Sequence, residues 1–171
     1  MDALQHYTIP IQGLGNGIHN FDFDINETFF SLFEHSPVKN GEIKVRIEYD
    51  KRPEVTNIRF DINGTILTPC DRCLTEIHLP VSGSYPMLVK EEEDTKDDVD
   101  VIYITSSLRK LNVAQFIYEF VLLSVPIIKT YNCDDEEPRP CDDSTLDKLT
   151  SNQDTEAINP LWDKLQDFKD N

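Results

Sequence analysis

The sequence predicts an α+β fold: an antiparallel sheet, partly barrel-like, covered by one main helix and followed by an acidic C-terminal tail. Three observations predict it. Apolar and polar residues alternate through most of 43–90, the period of a half-buried strand. A single later stretch, 112–124, places apolar residues at helical spacing. Beyond Pro126 the composition shifts to Asp, Glu, Ser, Thr, Asn and Pro. A chain of 171 residues has room for one ordinary domain and a tail. The expected division is a single domain over 1–143, with an acidic loop at 91–100, and a tail over 144–171 with a short amphipathic end.

Tyr7 to Ile11 reads as a short strand. Gly13, Gly15 and Gly17 follow, with Leu14 and Asn16 between them. A glycine-rich turn cradles phosphate when it leads from a strand into a helix. Here it leads into Ile18–Ile25, where Phe21, Phe23 and Ile25 alternate with Asp22 and Asp24, so a hairpin turn is expected. Thr28 to Phe33 is rich in aromatics and fits a helical turn or two, with Asn26 as its cap.

Ile43, Val45, Ile47 and Tyr49 share one face of the clearest strand, with Lys44, Arg46 and Glu48 on the other. Asp50 to Glu54 is a turn. Ile58, Phe60 and Ile62 then alternate with Arg59 and Asp61, and Asn63-Gly64 reads as a tight turn or a bulge. After Cys73, the stretches 74–79 and 80–90 continue the alternation, with Tyr85, Met87 and Val89 together. Residues 43–90 thus form an antiparallel meander over a core. Glu91–Asp100 holds seven acidic residues and one lysine, a solvated loop. Val101–Ile104 is a short strand.

In the helix, Val113, Phe116, Ile117, Phe120 and Val121 form the stripe, and Asn112 and Gln115 have capping-box spacing. Pro126 ends it. The stripe is expected to pack on the sheet. Residues 132–159 read as loop or disordered tail, with a short turn at Leu146 and Leu149. Leu161, Leu165 and Phe168 make a last amphipathic piece.

The net charge of −16 is unevenly spread. Residues 1–90 hold 8 Lys/Arg against 12 Asp/Glu, whereas residues 91–171 hold 8 against 20. Such a chain is self-repelling and a poor non-specific ligand for phosphate backbones, whose affinity comes from counterions released around Lys and Arg. Met1–His6 has neither a basic nor an apolar leader region, and no stretch approaches the roughly 20 apolar residues of a membrane span. A cytoplasmic location without membrane contact is expected. There, cysteines read as thiols or metal ligands before disulfides.

Four cysteines, Cys70, Cys73, Cys133 and Cys141, are the candidate metal ligands. A two-residue spacer lets Cys70 and Cys73 turn onto one ion, and structural zinc takes four such ligands in a tetrahedron. Cys133 and Cys141 are more widely spaced, with Pro138 and Pro140 between them. Unligated thiols, or a site using Cys70 and Cys73 with Asp71 or His78, stand beside the four-cysteine reading. A redox dithiol fits less well, because its first cysteine belongs at a helix N-terminus, and the flanks here read as strand. There is no catalytic constellation, no Glu/His arrangement for an open metal site, and no evident small-molecule substrate. The candidate nucleic-acid or partner contacts are Lys44, Arg46 and Arg59 on the outer strand face, with Lys51 and Arg52 at the joining turn. The alternative is cross-strand pairing with Glu48 and Asp61. Tyr49 and Phe60 face inward, so no base-stacking platform is evident.

The order of these features resembles a known family. A strand meander leads to Cys70-Asp71-Arg72-Cys73-Leu74, then to an acidic loop and a short strand. Next come the helix Tyr118-Glu119-Phe120-Val121-Leu122-Leu123-Ser124-Val125-Pro126, a cysteine-bearing acidic segment, and Asn159-Pro160-Leu161-Trp162-Asp163-Lys164-Leu165. Over roughly residues 40–168 this is similar to the YceD-type large ribosomal RNA subunit accumulation proteins of bacteria and plastids. The ending differs from the family's common Asp-Pro-Arg-Trp. The resemblance implies a non-enzymatic role in accumulation or processing of large-subunit ribosomal RNA. The expected partners are ribosomal RNA or a basic ribosomal protein. Two rival readings are a small zinc- or thiol-dependent enzyme of redox type and an acidic interaction module that holds a basic protein.

Overall fold

A computed structural model describes residues 3–92, 98–130, 137–138 and 140–153. In chain order the elements are a 3-10 turn Ala3–His6, β1 Thr8–Pro10, β2 Gly17–Ile25, α1 Glu27–Phe30, β3 Asn40–Lys51, β4 Thr56–Pro69, β5 Glu76–Glu91, β6 Val101–Ile104, β7 Lys110–Asn112, α2 Ala114–Ser124 and α3 Asp143–Gln153. The main sheet runs β2-β3-β4-β5-β6, and β1 pairs with β7 in a second, two-stranded sheet. β2 to β5 form the antiparallel meander, and β6 joins β5 in parallel. The sheet is open, with β2 and β6 as its edges, and is not a closed barrel.

Strict alternation puts one face of this sheet into the core. Ile43, Val45, Ile47 and Tyr49 of β3 are buried, as are Ile58, Phe60, Ile62 and Ile66 of β4 and Ile77, Leu79, Val81, Met87 and Val89 of β5. The helix α2 covers that face, burying Ala114, Ile117 and Val121. Phe60 lies 5.0 Å from Phe120 and 6.0 Å from Phe116, ring to ring. Phe120 also stacks parallel on Tyr85 at 4.6 Å. Such aromatic pairs add about 0.5–1.5 kcal/mol each beyond their burial. The tyrosine hydroxyl reaches Ser124 Oγ at 3.0 Å.

The second sheet closes one end of the core with Ile9, Leu111 and Val113. Asn26 caps α1 by accepting from the Thr28 N–H at 3.0 Å, as expected. Phe29 meets Tyr7 edge-on at 4.7 Å, and Phe33 stacks on Tyr118 at 4.0 Å, which pins this N-terminal corner to α2.

Four local expectations are corrected. The glycines at 13–17 do not turn a hairpin, because β1 pairs with β7 and β2 with β3; the segment carries the chain between two sheets. Asn63-Gly64 is neither turn nor bulge: β4 runs straight through, with Gly64 opposite Ile43 on one side and Val81 on the other. Glycine is required there because the strands approach closely; an added Cβ would lie 2.2 Å from the Glu42 carbonyl oxygen. No capping box forms. Asn112 accepts from the Ala114 N–H, but Gln115 bonds Glu119 one turn on instead of reaching back. Part of the segment read as loop is helix, since Asp142 caps α3 through its own side chain. The amphipathic end at 161–168 and part of the acidic loop lie outside the described residues.

Candidate functional site

β4 ends at Pro69 and β5 begins at Glu76, so the Cys70–Cys73 pair forms the link between two central strands. The link is a tight, internally bonded turn. The Cys70 N–H donates to the Thr75 carbonyl at 2.8 Å, and the Leu74 N–H returns to the Cys70 carbonyl at 2.9 Å. The Arg72 N–H points at Cys70 Sγ, 3.4 Å away. Leu74 takes a left-handed conformation, φ 62, that side-chain-bearing residues rarely adopt. Both thiols are free and buried at the edge of the core.

Two later segments are tied to this turn. Asp71 exchanges bonds with Lys129: its N–H donates to the Lys129 carbonyl at 3.0 Å, and its carboxylate accepts from the Lys129 N–H at 2.7 Å. This fixes the chain leaving α2 against the turn. The second tie is to Asp142. Its backbone N–H bonds the Cys73 sulfur, and together with the Thr75 N–H it is the main cause that lowers the Cys73 thiol to about 7, against the upward push of burial. The Thr75 hydroxyl and the Cys70 thiol add to the same effect. N–H groups converging on a sulfur favour its anionic form.

Asp142 is the N-cap of α3. Its carboxylate accepts from the Ser144 N–H at 3.1 Å and from the hydroxyls of Ser144 and Thr145 at 2.7 and 2.6 Å. These bonds hold the carboxyl below its ordinary range, with Thr145 the largest cause. Cys141, one residue earlier, is half-buried and packs against the core, and it is disulfide-bonded. Cys133 lies outside the described residues. The fold therefore brings Cys70 and Cys73 to the segment that carries Cys141. Among the described residues, no group of three or more His, Cys, Asp or Glu is placed to hold one ion. His78 is on the exposed face of β5, between buried Ile77 and Leu79, and the Asp71 carboxylate is engaged by Lys129.

The donor chemistry of the turn suits a soft metal: two buried sulfurs from a two-residue spacer, each receiving a backbone N–H. Sequence reasoning found the pair but missed Thr75, Lys129 and Asp142 as its supports. Asp142-Asp143-Ser144-Thr145 carries a readable N-cap signature; the Lys129 contact has no local signal.

The predicted basic face lies on the outer side of β3 and β4. Lys44, Arg46 and Arg59 share the exposed face of β3 and β4, as register requires. Arg46 pairs with Asp22 at 2.8 Å, across β2 and β3. Arg59 pairs across the strands with Glu48 at 3.1 Å, the cross-strand alternative read from the alternation, and along its own strand with Asp61 at 3.2 Å. Arg52 pairs with Asp50 at 2.7 Å, and Lys51 donates to the Leu14 carbonyl at 2.9 Å. Each arginine is drawn further toward its charged form by its carboxylate. The face is thus an interleaved lattice of both signs. No described helix is long and apolar enough to cross a membrane.

No curated protein and no solved structure matches the chain. A family model described as large ribosomal RNA subunit accumulation protein YceD matches residues 58–169. The match starts in β4 and takes in the cysteine turn, α2 and α3, well over half of the sequence. With that span, and with the cysteine turn and its helix inside it, the chain belongs to the YceD family of large ribosomal RNA subunit accumulation proteins.

Proposed function

We propose that this protein is a non-enzymatic ribosome-biogenesis factor that supports accumulation or processing of large-subunit ribosomal RNA. The family match over residues 58–169 carries the reading. Its contact with RNA is indirect, through a basic ribosomal protein. Two observations support that choice: the net charge of −16, and the carboxylate partners of Arg46, Arg52 and Arg59. Depleting the protein should selectively lower the ratio of large- to small-subunit ribosomal RNA; an unchanged ratio would overturn the reading. Replacing Lys44, Arg46 and Arg59 together by Gln separates the two routes to RNA. Ribosomal association survives if the contact is indirect and is lost if this face touches RNA.

The same reading includes a structural zinc on Cys70, Cys73, Cys133 and Cys141. The buried sulfurs of the turn and their N–H donors support it. Ligation by Cys141 requires its disulfide to be reduced first. Structural zinc contributes roughly 10–16 kcal/mol of apparent binding energy. The reduced protein should therefore hold one equivalent of zinc and melt lower after chelation. An unchanged melting temperature with no metal released would remove zinc from the account.

A further inference from the structure

An apolar corner of the molecule is uncovered. Leu74, at the tip of the cysteine turn, is 74% exposed, and Ile127 and Ile128 are 97% and 68% exposed. They flank one fixed point, the reciprocal Asp71–Lys129 bonds, so the three side chains sit on adjoining stretches of backbone. Scattered exposed apolar residues are ordinary, but several gathered on one fixed corner mark a docking surface.

We propose that this corner is the seat of the chain's own C-terminal segment, Pro160–Phe168. Three observations select that occupant. The family match runs to residue 169, so the segment belongs to the family unit and not to an appended tail. Leu161, Leu165 and Phe168 have the i, i+4, i+7 spacing of a one-sided apolar stripe, with Trp162 beside it, and such a stripe needs a surface to cover. The tether is also long enough. α3 begins beside Cys73, through the Asp142 N–H, and its 11 residues span about 16 Å. Residues 154–159 reach about 20 Å when extended. Whatever direction α3 takes, Pro160 can therefore return to the corner where α3 started. The docking requires neither the zinc nor the ribosomal role proposed above.

Trp162 is the only tryptophan, so its fluorescence reports the seat directly. In the full-length protein its emission should be blue-shifted from that of the urea-unfolded chain and several-fold less quenched by acrylamide. Ile127→Asp with Ile128→Asp should move the emission to the unfolded position while far-UV circular dichroism stays native. Ile127→Ser with Ile128→Ser should do the same in milder form. Val55→Asp, at an exposed apolar residue at the opposite end of β4 from the cysteine turn, should leave the emission unmoved. Native emission already at the unfolded position would overturn the proposal, as would a blue shift that neither corner variant moves. A blue shift that appears only as protein concentration rises would overturn it too, since it would place the segment on a second copy.

Discussion

Gly64→Ala tests the account of the sheet most sharply. Gly64 sits in the middle of β4, hydrogen-bonded into strands on both sides. A Cβ there would lie 2.2 Å from the Glu42 carbonyl oxygen and 2.6 Å from the Ile43 Cα. Both are backbone atoms of β3, so no side chain can swing aside to relieve the clash. β3 must move away from β4 locally. Overpacking of this kind costs about 1–3 kcal/mol, and each ladder bond weakened adds about 1 kcal/mol. A loss of about 3 kcal/mol is expected. For a chain of this size, each kcal/mol shifts Tm by about 2–4 °C, which gives a fall of about 6–12 °C. Thermal and urea unfolding followed by circular dichroism measure it, with Asn63→Ala on the exposed neighbour as the near-neutral control. Gly64→Asn separates this reasoning from a turn at Asn63-Gly64. A turn glycine in the left-handed region tolerates Asn, whereas a close strand contact rejects Asn and Ala alike. A Gly64→Ala protein that melts within about 2 °C of the parent would refute the close-approach argument.

Phe120→Ala should cost about 2–4 kcal/mol in urea unfolding, since it removes the ring that contacts Phe60 at 5.0 Å and Tyr85 at 4.6 Å; a loss below about 1 kcal/mol would mean that α2 is held by other contacts. The depressed Asp142 carboxyl gives α3 a defined pH response. Its stabilising contribution is fully present above the ordinary carboxylate value near pH 4 and is lost as pH falls through the lowered folded value. Asp142→Asn keeps a capping side chain but cannot titrate, so helical ellipticity should lose this acid-dependent step; an identical acid profile in parent and variant would assign the step to another group.

Most of the main sheet was legible because its signal is local. The alternation of Ile43 to Tyr49 and of Ile58 to Ile62 names the buried face without any knowledge of partners, and the helical stripe at 113–121 does the same for α2. The cross-strand pairing of Arg59 with Glu48 followed from the alternation that puts both on the outer face. What the sequence hid depends on distant partners or on shape. Thr8–Pro10 looks like the first arm of a hairpin, yet its ladder is completed by Lys110–Asn112. The dipeptide Asn63-Gly64 carries the strongest short turn signal, and a close approach between strands overrides it. α3 was masked by composition: a polar, acidic stretch reads as coil, although Asp142 with Ser144 and Thr145 makes a well-bonded cap. At the cysteine turn the pair Cys70 and Cys73 was visible. Their supports at Thr75, Lys129 and Asp142 were not, because hydrogen bonds to sulfur and backbone leave no periodic trace.

The family match begins at residue 58, but the fold has no boundary there. β4 is paired along nearly its whole length with β3, from Lys51↔Thr56 to Asn40↔Leu67. A chain beginning at residue 58 would strip β4 of that ladder. It would also uncover Phe60 and Ile62, which β3 helps to bury with Ile47 and Val45 in the same core. The exposed ladder of a long apolar strand is an invitation to aggregation. The cysteine turn depends on this too, since it is held in place by the two strands it joins. The matched segment and the N-terminal strands thus form one cooperative body. Whatever docks at the cysteine corner or along the charged strand face acts on the whole sheet, because β4 lies beneath that face and runs directly into the turn.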